Sequence, residues 1–252
     1  MSDRSPVLLV TGAARGIGAA TARRFATAGY RVYGADVIER EEVEGAGDDW
    51  SLDACDVADE AEVAALVARV GEQAGGIDVL VNVAGVVLVK PLEETSWEEF
   101  THVANVNIGG TFLLCKHVIP VMKRQGGGSI VNVGSVSGHV GQVDHVLYGA
   151  TKAAVIGMCR ALAWELAPAN IRINSVSPGS VDTAMLRGDI ALESERTGSP
   201  YNDVKKLRES EQAFGRWADP SEIAEAVFFM ASAGASFVTG SDLLVDCGWT
   251  AR

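Results

Sequence analysis

Short, almost wholly apolar runs alternate along this chain with segments whose apolar residues recur every three or four positions. The runs predict seven β-strands, at residues 7–10, 31–35, 51–55, 78–82, 129–133, 171–177 and 242–245. Recurrence at residues 17–28 and 63–70 predicts helices between strands. Strands that are apolar on both faces are typical of parallel sheets covered by helices on each side. The pattern therefore predicts a single α/β domain, a three-layer, doubly wound parallel sheet of about seven strands.

Two further helices are predicted from the residues at their starts. Ser96 and Glu99 have the spacing of a capping box, in which each side chain bonds the other residue's backbone N–H. Asp219 and Pro220 combine an N-cap with a proline at the first helical position, where its missing N–H costs nothing. Both pairs precede apolar runs of helical period.

Residues 184–215 break this rhythm, because they are polar and charged and contain Gly-Ser-Pro at 198–200. A long insert without a strand signal is often a binding segment, and the alternative is a surface excursion without a role. The insert lies just beyond the last residues of the candidate site described below. We therefore predict that it forms a lid over the substrate.

The composition indicates a compact globular protein with an acidic surface. Hydrophobic residues make up 48% of the 252 residues, charged residues 21%, and the net charge is −12. Such a surface repels nucleic acid phosphates and anionic lipids, and no apolar stretch approaches the ~20 residues of a membrane span. The four cysteines have no metal-ligand spacing, and the apolar run near the N-terminus is too short for a signal sequence. We expect no metal, no nucleic acid or membrane partner, and a cytoplasmic location.

A glycine-rich loop joins the first predicted strand to the first helix. Gly12, Gly16 and Gly18 let the backbone turn tightly and approach a pyrophosphate, and the N–H groups of the following helix point at that charge. Arg15 and Ile17 lie within the same loop. This position in the chain predicts a Rossmann-type dinucleotide site.

Asp36 ends the second predicted strand and indicates which dinucleotide is bound. A carboxylate there accepts hydrogen bonds from the adenosine ribose hydroxyls and repels a 2′-phosphate. Val37 follows, where an arginine would have favoured that phosphate, although Arg15 could reach it. We therefore predict NAD as the cofactor and NADP as less favoured.

Tyr148 and Lys152 are four residues apart on a predicted helix, which places them on one face. A free tyrosine has a pKa near ~10, too high for a ready base at neutral pH. A neighbouring ammonium favours the phenolate and lowers that pKa. The pair suits general acid–base chemistry on an alcohol or ketone oxygen, although the spacing alone is common in helices.

Together these motifs resemble the short-chain dehydrogenase/reductase family, in its compact, NAD(P)-dependent form of about 250 residues. The resemblance covers residues 7–248, and its pieces occur in the order of the family. They are Thr11–Gly18, Asp36, Asp56-Val57, Asn82-Val83-Ala84-Gly85, Asn107, Ser135, Tyr148, Lys152, Pro178-Gly179 and Thr183. The resemblance implies an oxidoreductase that moves a hydride between NAD(H) and a secondary alcohol or ketone.

The resemblance also implies a role for each catalytic residue. Ser135 would orient the substrate oxygen, and Tyr148 would give or take the proton. Lys152 would lower the pKa of the tyrosine and hold the nicotinamide ribose. Asn107, rather than the nearby Asn105, would support the lysine through water.

Further cofactor contacts follow from the same resemblance. Asp56 would bond the adenine edge, with Val57 beside it, and the loop of residues 178–183 would hold the carboxamide. The implied contacts beyond the glycine loop and Asp36 are Asp56, Val57, Ala84, Gly85, Tyr148, Lys152, Pro178, Gly179, Val181 and Thr183. Val83 departs from the commoner second asparagine of this segment, which is thought to tie the central strands together.

Hydrogen-bonding residues before Tyr148 indicate the substrate. Ser137, Gln142 and His145 are the candidate contacts, which favours a small polar substrate such as a sugar, sugar acid, polyol or hydroxy acid. The alternative within enzymes is an NADPH-dependent 3-oxoacyl thioester (acyl carrier protein) reductase. A remote alternative is a non-catalytic nucleotide-sensing protein, although all four catalytic positions are filled.

Two helical stretches, at residues 99–124 and 148–166, carry more apolar residues than a one-sided surface helix needs. The examples are Leu113, Leu114, Val118, Met158, Leu162 and Trp164. A thick core within one subunit would explain them. The family resemblance implies instead that these helices pair between subunits in a homotetramer.

Overall fold

The sheet has seven parallel strands in the computed structural model, which describes residues 4–37 and 50–251. The strands are β1 (Val7–Thr11), β2 (Arg31–Asp36), β3 (Trp50–Ala54), β4 (Val79–Asn82), β5 (Gly128–Val133), β6 (Ile171–Pro178) and β7 (Asp242–Val245). Their order is β3-β2-β1-β4-β5-β6-β7. The predicted doubly wound, Rossmann-type parallel sheet is confirmed, and each predicted strand boundary lies within one residue of the observed one.

Helices cover both faces of the sheet. They are α1 (Gly16–Thr27), α2 (Glu60–Ala74), α3 (Trp97–Ala104), α4 (Thr111–Gln125), α5 (Val146–Leu166), α6 (Ala184–Thr197), α7 (Tyr201–Ser210) and α8 (Pro220–Ala231). One core layer packs α2, α4 and α5 against the sheet, and the other packs α1 and α8 against its opposite face. In the second layer the Phe25 ring meets the Phe228 ring edge-on, with centroids 5.0 Å apart. The predicted capping box is present at the start of α3, and the predicted N-cap Asp219 at the start of α8 forms a second one with Glu222.

The strand order reverses at β1, which pairs with β2 on one side and with β4 on the other. The connections from β1 and β4 leave in opposite directions, so a crevice opens at the carboxyl ends of these strands. The Thr11 hydroxyl at the end of β1 accepts hydrogen bonds from the backbone N–H groups of Val83 and Ala84, at 3.1 and 3.2 Å. This contact fixes the two walls of the crevice.

A pair of buried amides ties the central strands together. Asn82 Nδ2 on β4 donates to Asn132 Oδ1 on β5 at 2.8 Å, and Asn132 Nδ2 contacts Cys159 Sγ at 3.3 Å. The two asparagines lie opposite each other in the strand register. The chain therefore has a side-chain tie between its central strands although Val83 replaces the commoner asparagine.

Helix α3 continues into α4 through a π-helical segment, Asn105–Gly110. A π turn holds one residue more than an α turn, and such turns are often found at functional sites. Here the extra residue turns Asn107 into the interior, where it is 1% exposed, while Asn105 stays exposed.

One helical stretch, Val146–Ala169, is long and apolar enough to cross a membrane by length and composition, with a mean hydropathy of 1.3. The expectation that no apolar stretch approaches 20 residues is therefore wrong for this part of the chain. The core helix of a globular protein passes the same test, and α5 buries eight of its residues, Lys152 among them. Its apolar character is accounted for by packing against the sheet.

The segment 184–215 is helical, which its sequence pattern did not predict. The segment contains the whole of α6 and α7, and Ile190, Val204 and Trp217 form a small buried core beneath these two helices. Thr183 caps the first helix, because its hydroxyl accepts a hydrogen bond from the Leu186 N–H at 3.3 Å. The segment is thus an ordered pair of helices rather than an irregular excursion.

Candidate active site

The crevice at the carboxyl ends of the strands is a cleft of about 430 Å³, and its floor is the glycine loop. Gly12 has φ +63°, and a Cβ there would approach the Ala84 backbone nitrogen to 2.9 Å. Gly16 has φ +55° and begins α1, and Thr183 lies 3.2 Å from where its Cβ would be. Only glycine leaves this cradle open without strain.

The backbone N–H groups in the first turn of α1, beside this cradle, have no partner within the helix. Arg15 precedes the helix, makes no side-chain capping bond, and no acidic residue occupies the first turn. Such a helix start is suited to a pyrophosphate. Arg15, Gly16 and Ile17 line the cleft as predicted.

Gly18 differs from the other two glycines of the loop. It does not belong to the lining of the cleft, and a Cβ on it would lie only 2.0 Å from the Gly12 carbonyl oxygen. The absence of a side chain lets α1 pack closely on the turn after β1. Gly18 therefore shapes the loop from behind, and its predicted contact with the cofactor stays a prediction.

Two acidic residues lie at the other end of the cleft, where β2 and β3 end. Asp36 Oδ2 accepts a hydrogen bond from the Ala14 backbone N–H at 3.0 Å, which fixes the carboxylate at the rim. Asp56 Oδ1 accepts from the Ala58 N–H at 2.9 Å, so a tight turn orients this second carboxylate. Val57 lies beside it in the lining, and the neighbouring Val37 is 67% exposed.

The loop after β6 forms the opposite wall. Pro178 ends the strand, and the Gly179 N–H donates to the Val245 carbonyl on the neighbouring strand at 3.0 Å. Val181 bridges to Ala218, which holds the loop in an extended form. Gly179 and Val181 line the cleft together with Thr183, whose hydroxyl caps α6.

Ser135 and Tyr148 meet in the middle of the cleft. Ser135 follows β5, its hydroxyl accepts from the Ser137 N–H at 3.1 Å, and it lies close enough to the Tyr148 phenol to lower the pKa of that phenol. Tyr148 lies in the first turn of α5. The two hydroxyl groups can therefore contact one substrate oxygen together.

Lys152 lies one turn further along α5 and is 5% exposed. Its Nζ donates to the Val133 carbonyl at 2.9 Å and lies 5.6 Å from the centre of the Tyr148 ring. A Cβ at Gly85 would come within 3.6 Å of this ammonium and 3.2 Å of Asn107 Oδ1. Because Gly85 has no side chain, the side chains of Lys152 and Asn107 can both approach this point.

Asn107 lies behind the cleft rather than in its lining. Its Oδ1 accepts from the Val86 N–H at 2.8 Å, and its Nδ2 donates to the Val86 carbonyl at 2.9 Å and to Thr151 Oγ1 at 3.0 Å. These bonds join the π-helical segment to the loop after β4 and to α5. Asn107 positions the wall next to Lys152 and is not placed to touch a substrate.

The pKa values of the pair are shifted mainly by burial. The pKa of Tyr148 is raised to about 12, mainly by burial and also by the Asp189 charge, against the lowering effect of Ser135. Burial lowers the pKa of Lys152 to about 8. Lys152 is not among the causes of the shift of Tyr148, and the predicted lowering of the tyrosine pKa by its ammonium stays a prediction.

These pKa values define what the site can do. At neutral pH Tyr148 is protonated and can donate a proton to a carbonyl oxygen held by Ser135. In the reverse direction, the phenol must first lose its proton, and any added positive charge beside it favours that loss. The arrangement therefore supports both directions of an alcohol–ketone conversion.

The remaining lining has the predicted polar residues and others that the sequence did not reveal. Ser137 hydrogen-bonds Gln142, and His145 Nδ1 contacts the Val143 carbonyl at 2.7 Å. Additional lining residues from α6, α7 and the C-terminal turn are Met185, Leu186, Asp189, Arg208 and Trp249. No motif or spacing distinguishes these five residues in the sequence.

The cleft fits a nicotinamide dinucleotide. The glycine cradle leaves room for a pyrophosphate, and carboxylates occupy the adenosine end. Tyr148 and Lys152 stand where the other end of an extended dinucleotide would lie. When bound, the nicotinamide supplies the hydride acceptor or donor that the side chains lack. Among the described residues, no group of histidine, cysteine and acidic side chains could hold a metal ion.

Comparisons with known proteins agree with this geometry. The family model described as enoyl-(acyl carrier protein) reductase matches residues 12–250. D-threitol dehydrogenase of Mycolicibacterium smegmatis is 40% identical over 98% of this chain and 93% of its own length. Cis-4-hydroxycyclohexanecarboxylate dehydrogenase of Sinomonas cyclohexanicum is 41% identical over 97% of this chain and 96% of its own length.

A solved structure gives the same result. An actinorhodin polyketide ketoreductase variant with NADPH matches with a TM-score of 0.93 and 35% identity, over 98% of both chains. The family model and the relatives each cover nearly the whole chain. The chain therefore belongs to the short-chain dehydrogenase/reductase family and is an oxidoreductase that acts on alcohol groups.

Proposed function

We propose that this enzyme transfers a hydride between NAD(H) and a secondary alcohol or ketone on a small polar, hydroxylated substrate. The observation that carries the proposal is the convergence of Ser135, Tyr148 and Lys152 in the cleft that holds the glycine loop. Ser137, Gln142 and His145 add hydrogen-bonding groups beside the reacting hydroxyls. The relatives named for D-threitol and for a hydroxycyclohexanecarboxylate support a substrate of this class.

An absorbance screen at 340 nm tests the proposal directly. NAD is supplied with a panel of sugars, sugar acids, polyols, hydroxy acids and hydrophobic secondary alcohols. We expect turnover of polar hydroxylated compounds. Turnover confined to hydrophobic alcohols or acyl thioesters would contradict the proposed substrate class.

The cofactor preference rests on Asp36. Its carboxylate is fixed at the rim by the Ala14 N–H, where it can accept the ribose hydroxyls and would repel a 2′-phosphate. We expect Asp36→Ala to reduce the preference for NAD over NADP by about 1.5–3 kcal/mol, the value of a charged hydrogen bond. Initial rates with NAD and NADP measure the change. Asp53→Ala, which removes a carboxylate of the neighbouring strand outside the lining, is the matched control.

A second candidate is an NADPH-dependent 3-oxoacyl thioester reductase. The polyketide ketoreductase with NADPH and the acyl carrier protein description of the family model favour it, as does Arg15 at the cradle. Initial rates with a 3-oxoacyl thioester and NADPH, against a polyol and NAD, separate the two. If the wild-type enzyme prefers the 3-oxoacyl thioester with NADPH over the polyol with NAD, the second candidate replaces the first.

We propose a homotetrameric, cytoplasmic enzyme without nucleic acid or membrane partners. Leu114 and Val118 on α4 pack within the subunit core. Phe112 on the same helix is 53% exposed, and Trp164 on α5 is 88% exposed. Apolar side chains that are this exposed, on helices that otherwise pack against the sheet, support pairing of these helices between subunits. The net charge of −12 supports the absence of anionic partners.

Sedimentation velocity at micromolar concentration tests the assembly. We expect a tetramer for wild type and smaller species for Trp164→Glu, because a buried unpaired carboxylate opposes association. Leu92→Glu, at a residue that is 62% exposed away from these helices, is the control and should stay tetrameric. A wild-type monomer would contradict the proposal.

A further inference from the structure

The lid helix α6 brings a single carboxylate, that of Asp189, into the lining of the cleft. Asp189 faces His145, which directly precedes α5, with 3.9 Å between Oδ2 and Nε2. The two side chains are only 14% and 8% exposed. The His145 ring meets the Tyr148 ring edge-on, with centroids 6.4 Å apart. The pair therefore lies beside the tyrosine on which the reaction depends.

The hydrogen bond at the far side of the imidazole determines what Nε2 can do. His145 Nδ1 lies 2.7 Å from the Val143 carbonyl oxygen, and a carbonyl can only accept. Nδ1 therefore carries a proton, so that Nε2 of the neutral ring is an acceptor. It faces a carboxylate, also an acceptor, across a gap too long for a hydrogen bond. Two facing acceptors are satisfied by donors placed between them, such as the hydroxyl groups of a bound molecule.

The charge of the lining at this point is negative. Arg208 on α7 also lines the cleft, but its guanidinium pairs with Glu193 at 2.7 Å and with Glu211 at 3.5 Å. The other arginine and lysine in the described lining are Arg15 and Lys152, which belong to the glycine loop and the catalytic pair. A carboxylate on a substrate would therefore meet the charge of Asp189 without a dedicated cation to balance it.

We propose that Asp189 and His145 bind adjacent hydroxyl groups of a neutral polyol, and that Asp189 disfavours substrates that carry a carboxylate at this position. The proposal rests on the proposed function and narrows its substrate class from sugars, acids and polyols to uncharged polyols. A hydroxyl that donates to a carboxylate forms a short, charge-assisted bond, whereas two carboxylates in a partly desolvated cleft repel each other.

The test compares matched neutral and acidic substrates, threitol with threonate and xylitol with xylonate, by kcat/KM with NAD. We expect wild type to favour each polyol by roughly tenfold or more. In Asp189→Asn, kcat/KM should fall for the polyol and rise for the acid, so that the ratio falls by about tenfold or more. Glu195→Gln neutralises an exposed acid of the same helix and should leave the ratio at its wild-type value.

Glu193→Gln is an independent second variant. It removes the closer partner of Arg208, which adds positive charge to the lining while Asp189 stays in place. We expect a higher kcat/KM for the acids and little change for the polyols. If Asp189→Asn fails to fold, the kcat/KM values of Glu193→Gln for the acids and the polyols still test the proposal.

A wild-type preference for the acids, or an Asp189→Asn ratio equal to that of Glu195→Gln, would overturn the inference and leave the proposed function intact. Absence of turnover for both members of each pair, together with NADPH-dependent reduction of a 3-oxoacyl thioester, would overturn both. The two failures are therefore distinguishable in one set of assays.

Discussion

Tyr148→Phe should lower turnover by about 10²–10⁴-fold, the range that a positioned general acid or base contributes. The change removes the phenol that, among the described residues, is the only one in the cleft lining, and it keeps the ring, which packs beside His145. Affinity for NAD should change little, because the glycine cradle and Asp36 are untouched. Stopped-flow turnover and fluorescence titration with NAD measure the two properties separately.

Tyr201→Phe is the matched control, because it removes a partly exposed phenol at the start of α7, outside the lining. It should keep wild-type turnover. A Tyr148→Phe enzyme with full activity would show that the proton travels elsewhere. A wild type that binds NAD but turns over no alcohol or ketone would favour the nucleotide-sensing alternative.

The pH dependence provides a further check of the same residue. Since burial raises the pKa of Tyr148 to about 12, the phenolate fraction increases with pH throughout the usable range. Alcohol oxidation by wild type should therefore become faster from about pH 7 to about pH 10, whereas ketone reduction uses the phenol that is already protonated. The residual oxidation rate of Tyr148→Phe should lack this rise.

Arg172→Met should lower the free energy of unfolding by roughly 3–5 kcal/mol, the largest stability effect that we expect from one substitution. The Arg172 guanidinium on β6 donates to the carbonyls of Met230, Ala231 and Ser232 at 2.8–3.0 Å, and to that of Val238 at 3.4 Å. The carbonyls of Met230 and Ala231 lie in the last turn of α8, where the helix has no further turn to bond them. Methionine fills a similar volume but leaves them without this donor.

Urea unfolding measures the change, and Arg23→Met, at an exposed arginine of α1, is the control. The midpoint should fall clearly for Arg172→Met and stay near that of wild type for the control. Because Arg172 is remote from the cleft, the folded variant should keep its turnover at low temperature. Equal midpoints for the two variants would show that the helix end is satisfied by water alone.

The strands were predictable because burial on both faces leaves an unmistakable apolar run. Helices α6 and α7 were not, since Ile190 and Val204 are their only fully buried residues and leave no apolar period to read. The glycine cradle was predictable because backbone geometry demands glycine at Gly12 and Gly16. The sequence could not separate these from Gly18, whose close approach is to another part of the loop.

The energetic balance at the site could not be predicted from spacing. The spacing of four positions between Tyr148 and Lys152 fixes a shared helix face, but the direction of a pKa shift depends on how much solvent each group loses. The role of Asp189 could not be predicted for a similar reason. A single acidic residue in a polar segment has no distinguishing pattern, and only the fold places Asp189 opposite His145.

The π-helical segment Asn105–Gly110 makes the length of this stretch as important as its composition. Because a π turn holds one residue more than an α turn, deletion of one residue here would close the turn to α geometry and leave the flanking helices in phase. Leu114 and Val118 would stay buried against the sheet, whereas Asn107 would lose the position from which it bonds Val86 and Thr151. Insertion of a further residue would instead turn α4 by about 100° about its axis and carry Leu114 and Val118 away from the sheet.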